Sequence, residues 1–236
     1  MSSGRLFLLG EGEGDIGRVD PVMKRGAPCD FEGDLPRLVR RISEHASGRT
    51  RFGYDADTVQ GINARIPLAG RPTRIGGKSK QLRNAVLAAL QTHTLIVALI
   101  DACTEEVPDL QRDIQDILAQ CRERAADARV AIGLAIQEIE IWMLADPESR
   151  TAAFGTADGE RQLPVDLERV HDPKMHWRER EGQAPPPAGA AAELHRDAQR
   201  LAAWQALRPD VVARLCPRGF APFVQSLVDT LPWTRS

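Results

Sequence analysis

The sequence predicts an α/β fold in which a mostly parallel sheet is flanked by helices. The first observation is a continuous apolar run at residues 94–101, which ends on the carboxylate of Asp101. The second is a similar run at residues 129–136, and the third is the alternation of strand-like and helix-like segments up to about Asp146. Strands covered by helices on both faces are apolar along their whole length, and alternating strands and helices favour parallel pairing. We therefore place residues 94–101 at the centre of the sheet.

Length, charge and cysteine usage exclude several classes of protein. A chain of 236 residues with a formal charge of −2 is long enough for one large domain, but it cannot hold nucleic acid by overall charge alone. The four cysteines are widely spaced and form no Cys-x-x-Cys pair, which indicates reduced thiols rather than disulfides or a zinc site. No apolar run is long enough for a signal peptide or a membrane span, so we expect a cytoplasmic protein without membrane contact.

The first half of the chain predicts two further strands and two helices. Residues 6–9 form an apolar first strand, and residues 59–68 form a weaker strand after a loop at residues 49–57. One helix begins with Asp34 as its N-cap and continues to about residue 46. The other covers residues 79–91 and follows the basic stretch described below.

The second half predicts a long helix and then a smaller helical region. Apolar residues recur at helical spacing over residues 105–126, whereas residues 147–162 are expected to be loop. A Pro/Ala-rich linker at residues 182–192 separates an α/β domain, residues 1–181, from a small C-terminal helical extension. That extension, residues 193–236, is expected to pack on the domain or on a partner, with its last helix at residues 220–231.

Carboxylates follow three of the predicted strands. Glu11 lies in a glycine-rich turn after the first strand, Asp101 ends the central strand, and Glu138 and Glu140 follow the strand at residues 129–136. Ligands collect at the carboxyl edge of a parallel sheet, and carboxylates beside a sharp turn suit a divalent cation. The alternatives are a flexible acidic turn and an Asp101 that only caps the next helix. Because apolar residues surround Glu138 and Glu140, these two carboxylates need a cation or a basic partner.

The most basic stretch of the chain, residues 71–83, precedes the central strand. Gly76-Gly77-Lys78-Ser79 resembles the end of a phosphate-binding P-loop, but Pro72 stands where that motif needs glycine. We expect the stretch to border the acidic site and meet phosphate there rather than bind ATP. The candidates for contact with phosphate or nucleic acid are Arg74, Lys78, Lys80 and, in a second basic patch, Lys174.

The positions of these carboxylates resemble a known type of metal site. Glu11-Gly12, Asp101 and Glu138-x-Glu140 resemble the TOPRIM sites of primases, topoisomerases and overcoming-lysogenisation-defect nucleases. More specifically, residues 137–146, together with Asp172-Pro-Lys174 and residues 215–223, resemble a bacterial TOPRIM-like family that is often encoded beside ABC- or AAA-type ATPases in phage-defence loci. The resemblance covers most of the chain.

The resemblance implies a fold, a site and a partner. It implies a TOPRIM-like α/β fold in which Glu11, Asp101, Glu138 and Glu140 serve as catalytic residues and as ligands of Mg²⁺ or Mn²⁺. It also implies DNA or RNA as substrate and a neighbouring ATPase as partner. Cys103 departs from the pattern, since TOPRIM enzymes typically carry a second aspartate there, and a thiol is a ligand that Mg²⁺ does not favour. Glu105 could substitute, whereas a Cys103 packed under the next helix would indicate a degenerate site.

Three functions stay open from the sequence. The first is a metal-dependent nuclease component of a bacterial anti-phage defence system that hydrolyses phosphodiester bonds and acts with an ATPase. The second is a TOPRIM-like adaptor or regulatory subunit with weak or no catalytic activity, which Cys103 favours. The third is a P-loop nucleotide-binding protein, which Pro72 weakens. Self-association as a homo-oligomer is left open as well.

Overall fold

A computed structural model describes residues 6–17, 32–49, 51–65, 77–163, 166–181 and 190–232 of the chain. These residues form an α/β structure in which a four-stranded, entirely parallel sheet is flanked by helices. The fold class predicted from the alternating segments is therefore confirmed. None of the helices in these ranges combines the length and the apolar character needed to cross a bilayer.

The four strands are arranged in the order β2-β1-β3-β4. Their bounds are β1, Leu6–Gly10; β2, Tyr54–Thr58; β3, Leu95–Ala102; and β4, Arg129–Ile136. In the described part of the chain, β1 and β3 are interior strands and β2 and β4 are the edges. The predicted first strand and the predicted strands at residues 94–101 and 129–136 are thus confirmed, with residues 94–101 inside the sheet.

Twelve α-helices and one 3-10 helix lie in the described ranges. In chain order they are α1 (Glu13–Ile16), α2 (Asp34–Ser47), α3 (Val59–Arg65), α4 (Lys78–Ala89), α5 (Val107–Arg124), α6 (Glu140–Ala145), α7 (Pro147–Phe154), α8 (Thr156–Gly159), the 3-10 helix Leu167–Arg169, α9 (Pro173–Glu181), α10 (Ala190–Ala206), α11 (Pro209–Leu215) and α12 (Phe220–Thr230). The helices predicted near residues 34–46, 79–91, 105–126 and 220–231 are confirmed as α2, α4, α5 and α12.

Helices cover both faces of the sheet, which explains the continuous apolar runs of β3 and β4. Alternate residues of β3 face opposite cores, so that Val97 packs on one side and Ile96 on the other. The first core includes residues of α2, α6, α10, α11 and α12, and the second includes residues of α3, α4 and α5. A strand buried on both faces has no position for a polar residue until it leaves the core at its carboxyl end.

The C-terminal helices complete one of these two cores. Trp142 of α6 packs against Phe220 and Phe223, with ring centroids 5.0 and 5.9 Å away. Phe223 also lies directly on β4, since a Cβ added to Gly133 would be 2.4 Å from the phenyl ring. The predicted linker at residues 182–192 is too long at its carboxyl end, because α10 already begins at Ala190. The rest of it, residues 182–189, lies outside the described residues.

The prediction of a strand at residues 59–68 is wrong for residues 59–65, and residues 66–68 lie outside the described residues. The prediction of a loop at residues 49–57 is wrong for residues 54–57. The strand is β2, at the edge of the sheet, and α3 begins immediately after it. The Oγ1 atom of Thr58 accepts a hydrogen bond from the Gly61 N–H group at 2.8 Å, which satisfies a free donor in the first turn of α3. Only one face of β2 is well buried, at Tyr54 and Ala56, so the apolar signal of this strand is weak.

The prediction of a loop at residues 147–162 is also wrong in part, since α7 and α8 lie there. Asp146 ends α6 and caps α7, because its Oδ1 atom accepts a hydrogen bond from the Glu148 N–H group at 3.2 Å. Pro147 occupies the first turn of α7, where a missing N–H group has no cost. The Asp-Pro pair therefore separates two helices rather than opening a loop.

Candidate functional site

The structure places all four predicted site carboxylates at the carboxyl edge of the sheet. Glu11 directly follows β1, and Asp101 is the next-to-last residue of β3. Glu138 and Glu140 come two and four residues after the end of β4. Because β1, β3 and β4 are parallel neighbours, their carboxyl ends lie side by side.

Glu11 and Asp101 are joined through the backbone and through Lys78. The Asp101 N–H group donates a hydrogen bond to Oε2 of Glu11 at 3.0 Å. The Nζ atom of Lys78, at the start of α4, donates to the Asp101 carbonyl oxygen at 2.7 Å. The same atom lies 3.7 Å from Oε1 of Glu11 and 3.9 Å from Oε2 of Glu106. Lys78 therefore borders the acidic edge, which is where the basic stretch was expected to lie.

The basic stretch contains two other candidate phosphate contacts, Lys80 and Arg74. Lys80 is exposed on α4, two residues after Lys78. Arg74 lies outside the described residues. In residues 77–83, the part of the stretch that the structure describes, Lys78 makes the contacts with the acidic site.

Asp15 belongs to this edge, although the sequence did not single it out. Its Oδ2 atom accepts a hydrogen bond from the Gly12 N–H group at 2.9 Å. Residue 10 must be glycine for this approach, because a Cβ there would lie 2.5 Å from the Cβ atom of Asp15. Burial raises the pKa of Asp15, and the negative charges of Asp34 and Glu11 raise it further. The alternating glycines of the turn were the available signal, since they allow the chain to fold back on β1.

Asp101 has a carboxyl group whose pKa is strongly shifted. Burial, together with the negative charges of Asp15, Glu11 and Glu140, raises its pKa to about 8, although the positive charge of Lys174 acts in the opposite direction. A carboxyl group in this state exchanges its proton near neutral pH, which is what acid–base catalysis requires. Carboxyl groups with a strongly shifted pKa in a charged cluster are also typical of functional sites.

Glu138 is paired with Lys174, the lysine of the Asp172-Pro-Lys174 motif. The ammonium group of Lys174 donates to Oε1 of Glu138 at 2.8 Å, and the backbone N–H group of the same lysine donates to Oε2 at 3.2 Å. Burial alone would lower the pKa of Lys174, but the hydrogen bond to Glu138 and the charges of Glu140 and Asp101 raise it. Asp172 opens the helix by accepting from the Met175 N–H group at 2.9 Å. The motif thus starts α9 and directs its lysine toward the acidic edge.

Glu140 is paired with an arginine that the sequence did not indicate. The carboxylate of Glu140 is buried, and its Oε1 atom accepts a hydrogen bond from Arg200 of α10 at 3.1 Å. Its Oε2 atom is buried and, within the described residues, has no hydrogen-bond partner. Burial raises the pKa of Glu140, while the positive charge of Arg200 opposes this shift.

Arg200 also binds Asp34, so the predicted N-cap role of Asp34 is wrong. Asp34 is the first residue of α2, and the capping position belongs to Gly33. The Asp34 carboxylate instead accepts hydrogen bonds from Nε and Nη2 of Arg200 and from Nε1 of Trp204, the last at 2.7 Å. Asp34 is nearly fully buried, at 3% exposure, so its charge has to be satisfied by partners from within the protein.

The predicted set therefore divides into two halves. Glu11 accepts from the Asp101 backbone, whereas Glu138 binds α9 and Glu140 binds α10. The divergence arises because the chain turns into α6 at Glu140, so the two glutamates no longer lie on an extended segment. Gln137 makes the turn with a φ of 70°, and its N–H group still bonds the Ala102 carbonyl oxygen at 2.8 Å.

Cys103 is exposed, so the alternative in which it packs under the following helix is wrong. Its N–H group donates to Oε2 of Glu106 at 3.1 Å, and this carboxylate also faces Lys78. The suggested substitute, Glu105, is exposed, and Glu106 makes the contacts at this position. The side chain at position 103 can therefore be changed without disturbing the core.

The donor groups of the edge suit a hard cation, but they are not arranged around one. Glu11, Asp15 and Asp101 offer carboxylate oxygens, and Glu140 has a buried oxygen without a partner, a chemistry that fits Mg²⁺ or Mn²⁺. Among the described residues, no group of three or more His, Cys, Asp or Glu is placed to hold a metal ion. Lys174 and Arg200 provide the positive charge around Glu138 and Glu140 instead.

No family model matches this chain, and no similar protein was found among curated proteins or solved structures. The TOPRIM-like assignment of the site therefore stays a prediction from the sequence motifs.

Replacing Arg200 with alanine should strongly destabilise the protein. The change leaves the carboxylates of Asp34 and Glu140 buried without their positive partner, which typically costs about 3–5 kcal/mol. Urea unfolding at neutral pH measures this loss. Arg196→Ala, an exposed position on the same helix, is the matched control and should change stability by less than about 0.5 kcal/mol. Equal losses in the two variants would contradict the role assigned to Arg200.

Asp101→Asn should change how stability depends on pH. The pKa of Asp101 is about 8 in the folded protein, whereas an unfolded aspartate titrates near pH ~4. Between these pH values the folded state binds more protons than the unfolded state. The contribution of Asp101 to the stability of the fold is therefore fully present below about pH 4 and is lost as pH rises to about 8.

The variant cannot titrate at this position, so its stability relative to the original protein should increase from pH 5 to pH 8. Thermal melts across that range measure the difference, with Asp116→Asn, an exposed position on α5, as control. A difference that is the same at every pH would show that Asp101 keeps an ordinary pKa.

Proposed function

We propose that the protein is a TOPRIM-like nuclease component that hydrolyses phosphodiester bonds with Mg²⁺ or Mn²⁺. The observation that carries the proposal is the meeting of Glu11, Asp15 and Asp101 at one sheet edge, with Lys78 and Lys174 beside them. Carboxylates that share a small buried region favour a divalent cation, and the adjacent ammonium groups favour a phosphate.

Each group of the site has a use in this reaction. Lys78 and Lys174 would contact the phosphate oxygens of a bound strand, since both lie at the edge and both are partly exposed. Asp101 would hold a proton in the metal-free site, where its pKa is about 8, and would release it when the positive charge of a bound cation lowers that pKa, which leaves a carboxylate that can act as a base. Glu11 and Asp15, whose charges act on Asp101, would offer hard oxygen donors to the ion. A bound Mg²⁺ would supply charge stabilisation at the phosphate and an activated water.

The biological setting of the proposal rests on the sequence resemblance. It places the protein in a bacterial anti-phage defence system, acting together with an ABC- or AAA-type ATPase encoded nearby. DNA and RNA are both candidate substrates, since the local charges of the site would meet either backbone.

A cleavage assay tests the nuclease. Purified protein, alone and with the neighbouring ATPase and ATP, is incubated with single- and double-stranded DNA and RNA in Mg²⁺, in Mn²⁺ or in EDTA. We expect cleavage that needs the cation and that falls at least about a hundredfold in Asp101→Asn, because proton transfer by a positioned group contributes about 10²–10⁴-fold. Asp116→Asn should cleave like the original protein. Absence of cleavage under every condition would contradict the nuclease proposal.

A second candidate is an adaptor or regulatory subunit with a catalytically weak or inactive site. The observation that favours it is the pairing of Glu138 with Lys174 and of Glu140 with Arg200. In this alternative the protein's own cations satisfy the acidic edge, and the site stabilises the fold rather than binding an ion. The absence of a metal-binding group of three side chains among the described residues points in the same direction.

Cys103→Asp distinguishes the two candidates. Since Cys103 is exposed, the new carboxylate is not buried, and stability without metal should change by less than about 0.5 kcal/mol. If the edge binds Mg²⁺, the added oxygen ligand should strengthen binding, so the melting temperature should rise with Mg²⁺ more than it does for the original protein.

Cys103→Asn, which has the same shape without the charge, is the matched control and should show no added rise. A Cys103→Asp protein that responds to Mg²⁺ no more than the control does would favour the adaptor.

A further inference from the structure

The outer edge of β4 carries backbone groups that no other strand in the described ranges uses. In the described part of the chain, β4 is the last strand of the sheet and pairs only with β3. The Arg129 N–H group donates to Thr94 at 2.7 Å and the Gln137 N–H group to Ala102 at 2.8 Å, so odd-numbered residues bond β3. Each residue of a parallel strand directs its N–H and C=O groups to the same side. The backbone groups of Val130, Ile132 and Leu134 therefore point away from the sheet.

A groove runs along this edge between α5 and α12. It consists of two adjoining cavities of about 600 and 410 Å³. Both are lined by Leu118 of α5 and by Pro222 and Ser226 of α12, so they form one continuous channel. The first borders Val130, and the second borders Ile132 and Leu134, so the channel follows the strand.

The sequence of β4 does not protect this edge in the ways that soluble proteins commonly use. The strand has eight residues, and after Arg129 at its first position it contains no charged residue and no proline. The opposite edge, β2, is shorter and carries Asp55 and Asp57. Within the described ranges, the chain covers this edge at the carboxyl end of β4, where a Cβ on Gly219 would lie 2.7 Å from the Leu134 carbonyl oxygen. The part next to Val130 and Ile132 is the open part.

The charges along the groove favour an acidic occupant. The charged side chains that line it are Arg112, Arg122, Arg129, Arg218 and Asp229. Arg112 and Arg218 already bind carboxylates of this chain, at 3.3 Å and 3.1 Å. Arg122 and Arg129 are exposed and lie at the amino-terminal end of β4, so that end attracts negative charge.

We propose that an acidic, extended peptide segment of a partner protein binds in this groove as a fifth strand beside β4. Its backbone would bond the outward-pointing N–H and C=O groups of Val130 and Ile132, as in other cases of strand addition. Its apolar side chains would contact Leu118 and Pro222, and its carboxylates would meet the arginines. None of these residues belongs to the acidic site, so the proposal does not depend on nuclease activity.

The probe is a pool of fluorescent ten-residue peptides. Each has two glutamates at either end and valine, isoleucine or threonine at the positions between. A matched pool carries lysines in place of the glutamates. We expect the acidic pool to bind and the basic pool not to bind, as measured by fluorescence anisotropy. Amide hydrogen exchange at Val130 and Ile132, followed by NMR, should slow at least tenfold when the acidic peptides are present.

Two variants and a control make the test specific. Ser226→Trp fills the groove from α12 and should abolish binding. Arg122→Glu combined with Arg129→Glu should weaken binding about tenfold or more, because it reverses the charge at the open end. Arg196→Glu, exposed on α10, should bind like the original protein. Thermal melts establish that each variant is folded.

Several results would overturn the proposal. One is the absence of binding or of slowed exchange at Val130 and Ile132. Another is binding that Ser226→Trp does not affect. A third is a dimer, detected by light scattering, that Ser226→Trp dissociates, because the edge would then pair with a second copy of this chain.

Discussion

The need to neutralise buried carboxylates at one edge of the sheet governs much of this structure. Parallel strands end side by side, so any acidic residue at their carboxyl ends shares a small region with the others. Asp34 and Glu140 lie inside that region with 3% and 4% exposure, where an unpaired charge costs several kcal/mol. Arg200 contacts both of them. One guanidinium group thus holds α2, α6 and α10 together.

This constraint makes the last third of the chain part of the site. Lys174 comes from α9 and Arg200 from α10, and both follow the sheet in sequence. Trp204, one turn after Arg200, is buried and donates to the same Asp34 carboxylate. The C-terminal helices therefore set the charge around Asp101 as well as covering the sheet. Moving either helix away would leave negative charge uncompensated at the strand ends.

The elements and contacts that could be predicted from the sequence are those that leave a pattern in neighbouring residues. The strands β3 and β4 were predictable because a strand buried on both faces is apolar throughout, and their ends on Asp101 and before Glu138 located the acidic edge. β2 was missed because an edge strand with Asp55 and Asp57 resembles a loop. The pairing of Arg200 with Asp34 spans 166 residues, and no local pattern indicates it.

The predictions that Asp34 caps a helix and that a loop follows Pro147 were wrong for a common physical reason. Each residue type has a local use that the sequence suggests and a second use that only the tertiary structure reveals. Aspartate before a helix is usually a cap, but here the buried position of Asp34 gives it an arginine and an indole as partners. Proline after a helix usually ends it, but Asp146 caps a new helix at the same point, so the chain continues helically.

The two basic partners of Glu138 and Glu140 differ in how easily a ligand could replace them. The pair of Lys174 and Glu138 is partly exposed, with side-chain exposures of 44% and 22%, and pairs of this kind contribute only about 0–1 kcal/mol. Arg200 and Glu140 are more buried, at 22% and 5%, and Arg200 also binds Asp34. Removing Arg200 would leave two buried charges without their positive partner at once. Glu138 is therefore the glutamate that can exchange its lysine for a cation or release that lysine to a phosphate, whereas Glu140 is held in place by the fold.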